Sequence, residues 1–163
     1  PAAKLNIHVG GSYRPPHTAL SRFCDNFEKY LSTSCKARLT VENDDKKNLF
    51  STKMLYDGVY NRIKTPIVFD SHHFEIGPQD ISYRDSFFLA RSTWPEGIKQ
   101  QCHHSNSKKD FEDPKASRVS HSMWFYKPFE SFGEDVDLVL ECKAKELALF
   151  KYRKDFPGEQ SEI

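Results

Sequence analysis

Residues 66–73 read Pro-Ile-Val-Phe-Asp-Ser-His-His, a short apolar run that ends on a carboxylate and two imidazoles. β-Branched and aromatic residues bounded by proline and polar positions make Pro66 to Phe69 a buried strand. Strand interiors avoid an acid such as Asp70, so the change of chemistry marks the strand's carboxyl end. The pattern repeats in both directions. Upstream, the apolar runs Leu5 to Val9 and Leu39 to Val41 carry His8 and Glu42 at their ends. Downstream, a weak run near Lys99 to Cys102 leads to His103, and Val136 to Leu140 leads to Glu141. These five residues are separated by 34, 28, 33 and 38 residues, the length of one strand, loop and helix unit.

Helical spacing fills the intervals. Leu20, Phe23, Cys24, Phe27, Tyr30 and Leu31 share a face, with Thr18 as the expected cap. Leu55, Val59 and Ile63 mark a second helix from about Ser51 to Arg62. Phe87, Phe88 and Leu89 mark a third over Tyr83 to Arg91. Leu147, Leu149, Phe150 and Tyr152 mark the last, over Ala144 to Phe156. Strands alternating with helices predict an α/β fold with a parallel sheet. Eight such units would need roughly 260 residues, near the ~250 of a TIM (β/α) barrel. The chain therefore reads as the last five βα units of such a barrel: residues 1–156 form the partial barrel and 157–163 a C-terminal tail. An open sheet of five strands has two unpaired edges, so this span alone is expected to be poorly stable and weakly active.

Composition narrows the function classes. The 163 residues carry 24 basic and 23 acidic side chains, a formal charge of +1, which excludes a histone-like polycation or an acidic tail. Any nucleic-acid contact must come from a local patch. A chain 37% hydrophobic and 13% aromatic is too apolar for a disordered one. No apolar run approaches the roughly 18 residues of a membrane span, and no secretory leader is visible. Cys24, Cys35, Cys102 and Cys142 form no C-x-x-C pair and read as reduced thiols, which places the protein inside the cell, in cytoplasm or nucleus. A chain that opens at Pro1, two residues before a strand pattern, reads as a piece of a longer protein.

In (β/α) barrels the carboxyl ends of the strands build the active site. Gathered there, His8, Glu42, Asp70, His103 and Glu141 supply three carboxylates and two imidazoles, with His73 and His121 close to the same rim. Three uncompensated carboxylates would repel one another and raise their pKa values. Divalent cations relieve that repulsion, and mixed imidazole and carboxylate ligation suits Zn²⁺ or Mn²⁺. A bridging carboxylate can hold two ions roughly 3.5–4 Å apart, an arrangement that activates water and clamps both oxygens of a phosphodiester. Each residue alone has an ordinary structural explanation; five units with one placement favour the cluster. In His72-His73 and His103-His104, adjacent strand residues point to opposite faces, so only one of each pair can serve the site. Lys108, Lys109 and Lys115 surround a polar loop after His103 and could meet phosphate. Arg91 and Trp94 are expected to pack a helix end, and Gly10-Gly11 to form a turn. No Gly-rich phosphate loop, G-x-S-x-G elbow or helical H-E-x-x-H occurs.

The strand ends resemble one family. Ile7-His8-Val9-Gly10-Gly11, Leu39-Thr40-Val41-Glu42-Asn43-Asp44, Val68-Phe69-Asp70-Ser71-His72-His73, Cys102-His103-His104-Ser105 and Leu140-Glu141-Cys142-Lys143-Ala144-Lys145-Glu146 are similar to UV-damage endonucleases, in the expected order. Arg22-Phe23-Cys24-Asp25-Asn26-Phe27 matches as well. The resemblance implies a TIM barrel that nicks double-stranded DNA 5′ to UV photoproducts, with a divalent-metal cluster, Mn²⁺ foremost and Zn²⁺ or Mg²⁺ as alternatives. It implies His8, Glu42, Asp70, His73, His103, His121 and Glu141 as ligands, Glu42 as a bridge, and Glu42 and Glu141 as catalytic groups. Ser105, Lys108 and Lys109 would contact DNA. No membrane and no nucleotide cofactor are implied, and a full barrel would be a monomer.

Two positions depart from the family pattern. Gln101 stands where the family often has a lysine, carboxylated in some members, with Lys99 one pleat step earlier. Met123 stands where many relatives carry an acid. Three other readings compete: a xylose-isomerase-like sugar isomerase, an endonuclease acting at abasic sites, and a catalytically weak or inactive fragment that binds DNA or a partner.

Overall fold

The computed structural model describes residues 3–11 and 15–157; of the tail expected at 157–163, all but its first residue lies outside the described residues. Five parallel strands, β1 (Leu5–Ile7), β2 (Leu39–Glu42), β3 (Ile67–Asp70), β4 (Gln100–His104) and β5 (Val136–Leu140), pair in sequence order. Helices cross between them: α1 (Pro16–Tyr30), α2 (Thr33–Lys36), α3 (Thr52–Leu55), α4 (Asn61–Ile63), α5 (Ser71–Ile76), α6 (Tyr83–Arg91), α7 (Lys108–Phe111) and α8 (Glu146–Asp155). A π-helical stretch, Tyr56–Tyr60, joins α3 to α4 into one rod. This is half of a TIM barrel.

Register sorts the side chains onto two faces. Ile7 pairs with Val41, Val41 with Ile67 and Phe69 with Cys102. Val41, Ile67, Phe69 and Cys102 are fully buried with Leu20, Cys24, Leu55, Val59 and Phe87 from the helices, and this layer is the core. Because successive strand residues alternate, the other face carries Asn6, Thr40, Glu42, Val68, Asp70, Gln101, His103 and Val139. The sheet curls around that face. At its floor Lys4, just before β1, bonds Asp137 on β5 at 2.7 Å and sits over the Trp94 ring. Trp94 in turn donates to Ile67 O at 2.8 Å, which fixes it beneath the strands.

Several expected bounds shift. Strand β1 stops at Ile7, ahead of the expected Val9, so His8 lies in the loop that turns through Gly10 at φ +98°. Helix α1 starts at Pro16 with proline at its first position and no side-chain cap, so Thr18 lies inside the helix and does not cap it. Its fixed φ and missing N–H make proline a natural first residue. The weak fourth run is a full strand that starts one residue later than expected, at Gln100, and ends two residues later, at His104. Helix α8 begins at Glu146, two residues late, after Lys145 takes φ 54° and ψ −129°. Short α2, α5 and α7 carry too few turns for a periodic signal. In α2 and α7, Ser32 and Ser107 accept from the amide three residues on. All four cysteines are free thiols.

Candidate metal centre

Glu42 ends β2 on the concave face, 4% exposed, and the other groups converge on it. His73 Nδ1 is 3.0 Å from Glu42 Oε1, His8 Nε2 is 3.9 Å from the same oxygen, and His103 Nδ1 is 3.4 Å from Oε2. Asn6, two residues before His8, donates its amide to Glu42 Oε2 and accepts from the Thr40 hydroxyl at 3.1 Å. Glu42 is thus held on both oxygens.

Asp70 is fully buried at the end of β3. Its Oδ1 caps α5 by accepting from His73 N at 2.8 Å, which is why a helix follows β3 without a loop. Here the expectation from strand geometry fails: His72 and His73 lie on α5, not on a strand. His73 turns toward Glu42, while His72 is fully buried with neither ring nitrogen hydrogen-bonded. On β4 the strand argument applies. His103 faces the cluster, and His104 turns to the opposite side, between Ser71 Oγ at 2.8 Å and Lys127 O at 3.0 Å.

Asn43 locks β2 to β3 beyond the last paired residues. Its amide donates to Asp70 O and its carbonyl accepts from Asp70 N, both at 2.9 Å. Asp44 follows, with Oδ1 3.2 Å from His8 Nδ1. Gly77 closes over Asp44: a Cβ there would stand 2.2 Å from Asp44 O, so no other residue fits. Glu141, past the end of β5, reaches His103 Nδ1 at 3.3 Å and His121 Nδ1 at 3.6 Å. His121 arrives from the long loop after α7 through a bridge to Ser107. Asn106 secures that loop by accepting from Tyr126 N and Lys127 N.

Charge and burial set the protonation of the group. Burial would raise Glu42, but His103 and His73 together hold its carboxyl far below the usual range. Burial would lower His73 and His103; their carboxylate partners overcome it and push them up to about 9 and about 10. Burial pushes Asp70 up to about 7. His8 rises through its hydrogen bond to Asp44, His121 falls through burial, and Glu141 falls through its bond to His103.

Two overlapping sets of donors could hold cations: His8, Glu42 and His73, and Glu42, Asp70 and His103, each within 4.8 Å. The residues fit divalent metal. Asp70 Oδ2 and Asp44 Oδ2 are buried without hydrogen-bond partners, and buried polar atoms rarely stay unsatisfied. Glu42 belongs to both sets, as a bridging carboxylate would. Glu141 and His121 stand beside the second set and belong to neither.

Other expected residues fall elsewhere. Lys108 and Lys109 begin α7, at the rim after β4. Ser105 is 1% exposed with its hydroxyl enclosed, so it cannot reach DNA. Lys99 does not stand in beside Gln101; its ammonium pairs with Asp135 at 2.6 Å. Gln101 itself places its amide 3.0 Å from His103 Nε2. Met123 is 44% exposed. Arg91 pairs with Glu134 at 3.7 Å. Asn6, Asn43 and Asp44 were not among the expected site residues. The sequence signal for them was proximity: each lies within two residues of His8 or Glu42.

Known proteins agree with this layout. UV DNA damage endonuclease from Bacillus pumilus (strain SAFR-032) is 37% identical over 156 residues, covering 90% of this chain and 46% of that protein. The protein of the same name from Bacillus cereus (strain Q1) is 32% identical over 155 residues, covering 91% and 47%. The crystal structure of SacUVDE superposes with a TM-score of 0.80 at 30% identity, over 96% of this chain and 52% of that one. The chain thus spans about half the length of the curated relatives it matches. The profile of UV-endonuclease UvdE matches residues 1–162, and with the half-barrel and its rim of histidines and carboxylates this places the chain in the UV-endonuclease UvdE family.

Proposed function

We propose that this chain carries the metal-binding half of a DNA repair endonuclease that nicks the phosphodiester backbone 5′ to UV photoproducts in double-stranded DNA. The observation that carries the reading is Glu42, shared between two sets of donors on the rim where (β/α) barrels build their sites. His8, Glu42, Asp70, His73, His103, His121 and Glu141 would hold the cations, with Mn²⁺ as the favoured metal. Bound there, divalent cations supply an activated water and positive charge for the attacking and leaving oxygens.

The chain's own residues supply the rest. Asn6 and Thr40 orient Glu42, Asn43 fixes Asp70, and Asp70 fixes His73 through the helix cap. His73 and His103 hold protons against Glu42, and as neutral imidazoles they would be free to ligate a cation. Lys108 and Lys109 offer charge to the DNA backbone. A distorted lesion favours binding because its bases cost less to unstack. Residues 1–156 would act as one domain with 157–163 as its tail.

The test is nicking of UV-irradiated against unirradiated supercoiled plasmid, with and without Mn²⁺, using Glu42→Ala as the control. Irradiation- and Mn²⁺-dependent nicking that the substitution abolishes is the expected result. Equal nicking of both plasmids, or activity that survives Glu42→Ala, would refute the assignment. Isomerisation of a xylose-like sugar would favour the isomerase reading instead.

A further inference from the structure

We propose that Lys143 and Lys145 form a subsite for a DNA backbone phosphodiester directly beside the metal cluster; the proposal rests on the endonuclease reading of that cluster. A cavity of about 280 Å³ opens at the carboxyl end of β5, lined by His121, Leu140, Glu141, Cys142, Lys143 and Lys145. Glu141 and His121 connect it to the candidate metal centre through His103. Glu141 is the one carboxylate in the lining, and it is already engaged by those imidazoles.

Both lysines are exposed, and among the described residues neither ammonium has an ion-pair partner, whereas Lys4, Lys53, Lys99 and Lys151 all do. Their backbone is fixed nonetheless. Lys143 N donates to Ser122 O at 3.0 Å and Ala144 N to Met123 O at 3.1 Å, so the two side chains extend from a held loop.

Lys145 breaks two local rules at once. Its backbone, φ 54° and ψ −129°, is one that glycine adopts freely and L side chains avoid. It also places a cation at the amino end of α8, where the helix dipole favours negative charge, and it makes no side-chain cap bond. Local preference favours glycine, serine or aspartate here, and local rules are most often broken at functional sites. A phosphodiester in the cavity offsets the charge, pairs with both ammoniums and satisfies the dipole. Lysine suits this role as a phosphate-binding point charge.

The experiment measures binding of the full chain to a short duplex, irradiated and unirradiated, by fluorescence anisotropy across a salt series with Ca²⁺ in place of Mn²⁺. The variants are Lys145→Gly, Lys143→Gln and the double substitution, with Lys29→Gln in the last turn of α1 as control. Each lysine that meets phosphate adds about 0.9 to the slope of log affinity against log salt. Each single variant should therefore lose about 0.9 of slope on both duplexes, the double variant should lose about twice that, and the control should lose none. Lys145→Gly should melt no lower than the parent chain, since glycine takes this backbone without strain. If that variant misfolds by circular dichroism, Lys143→Gln decides. DNA binding by the parent chain with unchanged slopes overturns the subsite and leaves the endonuclease reading standing. No DNA binding by the parent chain overturns both.

Discussion

Replacing Asn43 with alanine should damage both the fold and the metal centre. The Asn43 side chain continues the β2–β3 ladder one step past its last main-chain pair, Glu42 with Val68. It does so by bonding Asp70 N and Asp70 O at 2.9 Å each, in a setting where Asn43 is 2% exposed and Asp70 not at all. Alanine removes both bonds and leaves an enclosed N–H and C=O without partners. Each such loss costs about 1–3 kcal/mol, so Asn43→Ala should cost roughly 2–6 kcal/mol of a total near 5–15 kcal/mol. At about 2–4 °C per kcal/mol for a chain this size, the melting temperature should fall by roughly 4–24 °C. Asp70 would then drift relative to Glu42, and metal affinity should drop about 10–100-fold, as when a ligand's supporting partner is lost. Asn43→Asp separates the parts: it can accept from Asp70 N but cannot donate to Asp70 O. Thermal and urea denaturation followed by circular dichroism, with Mn²⁺ titration calorimetry, measure both effects. A stability within about 0.5 kcal/mol of the parent chain and unchanged Mn²⁺ affinity would refute the reasoning.

Three further expectations follow from the same geometry. Gly77→Ala drives a Cβ to 2.2 Å from Asp44 O, so it should lower the melting temperature and weaken Mn²⁺ binding; a neutral result would show that the Asp44 loop is loosely held. Gln101→Leu removes the amide beside His103 Nε2 and should weaken Mn²⁺ about 10–100-fold in calorimetry, unless Glu42 and Glu141 orient His103 unaided. Because His73 and His103 hold protons up to about pH 9 and 10, Mn²⁺ must displace them. Its affinity should climb between pH 6 and 9 by about tenfold per unit for each proton released, and a flat profile would oppose this. In the metal-free protein the same raised values mean that pairing with Glu42 stabilises fully below about pH 6.5. That stability is lost as pH rises through about 9 to 10.

The strands were legible because each carries a compositional break, although β1 ends two residues before the expected Val9 and β4 two residues beyond the expected Cys102. Val136 to Leu140 and Tyr83 to Arg91 match the structure to the residue, where apolar runs meet polar turns cleanly. Residues that touch only through folding were not legible. Nothing local marks Asn6 as the partner of Glu42, 36 positions away, or Asn43 as the clamp on Asp70. His72 and His73 were misplaced because a capping Asp70 starts a helix where period-2 spacing would continue a strand. Ser105 reads as a polar loop residue; its burial depends on the packing of the whole segment after β4, which no local pattern carries.

The strands pair strictly in the order in which they occur, each with the next unit along the chain. Such neighbour-to-neighbour pairing holds the entropic cost of each loop closure to that of a single crossover. Each described strand therefore makes its ladder only with the strands beside it in sequence. The Lys4–Asp137 bond, spanning 133 residues, ties the residue before β1 to β5 and works as a clasp across the floor of the sheet.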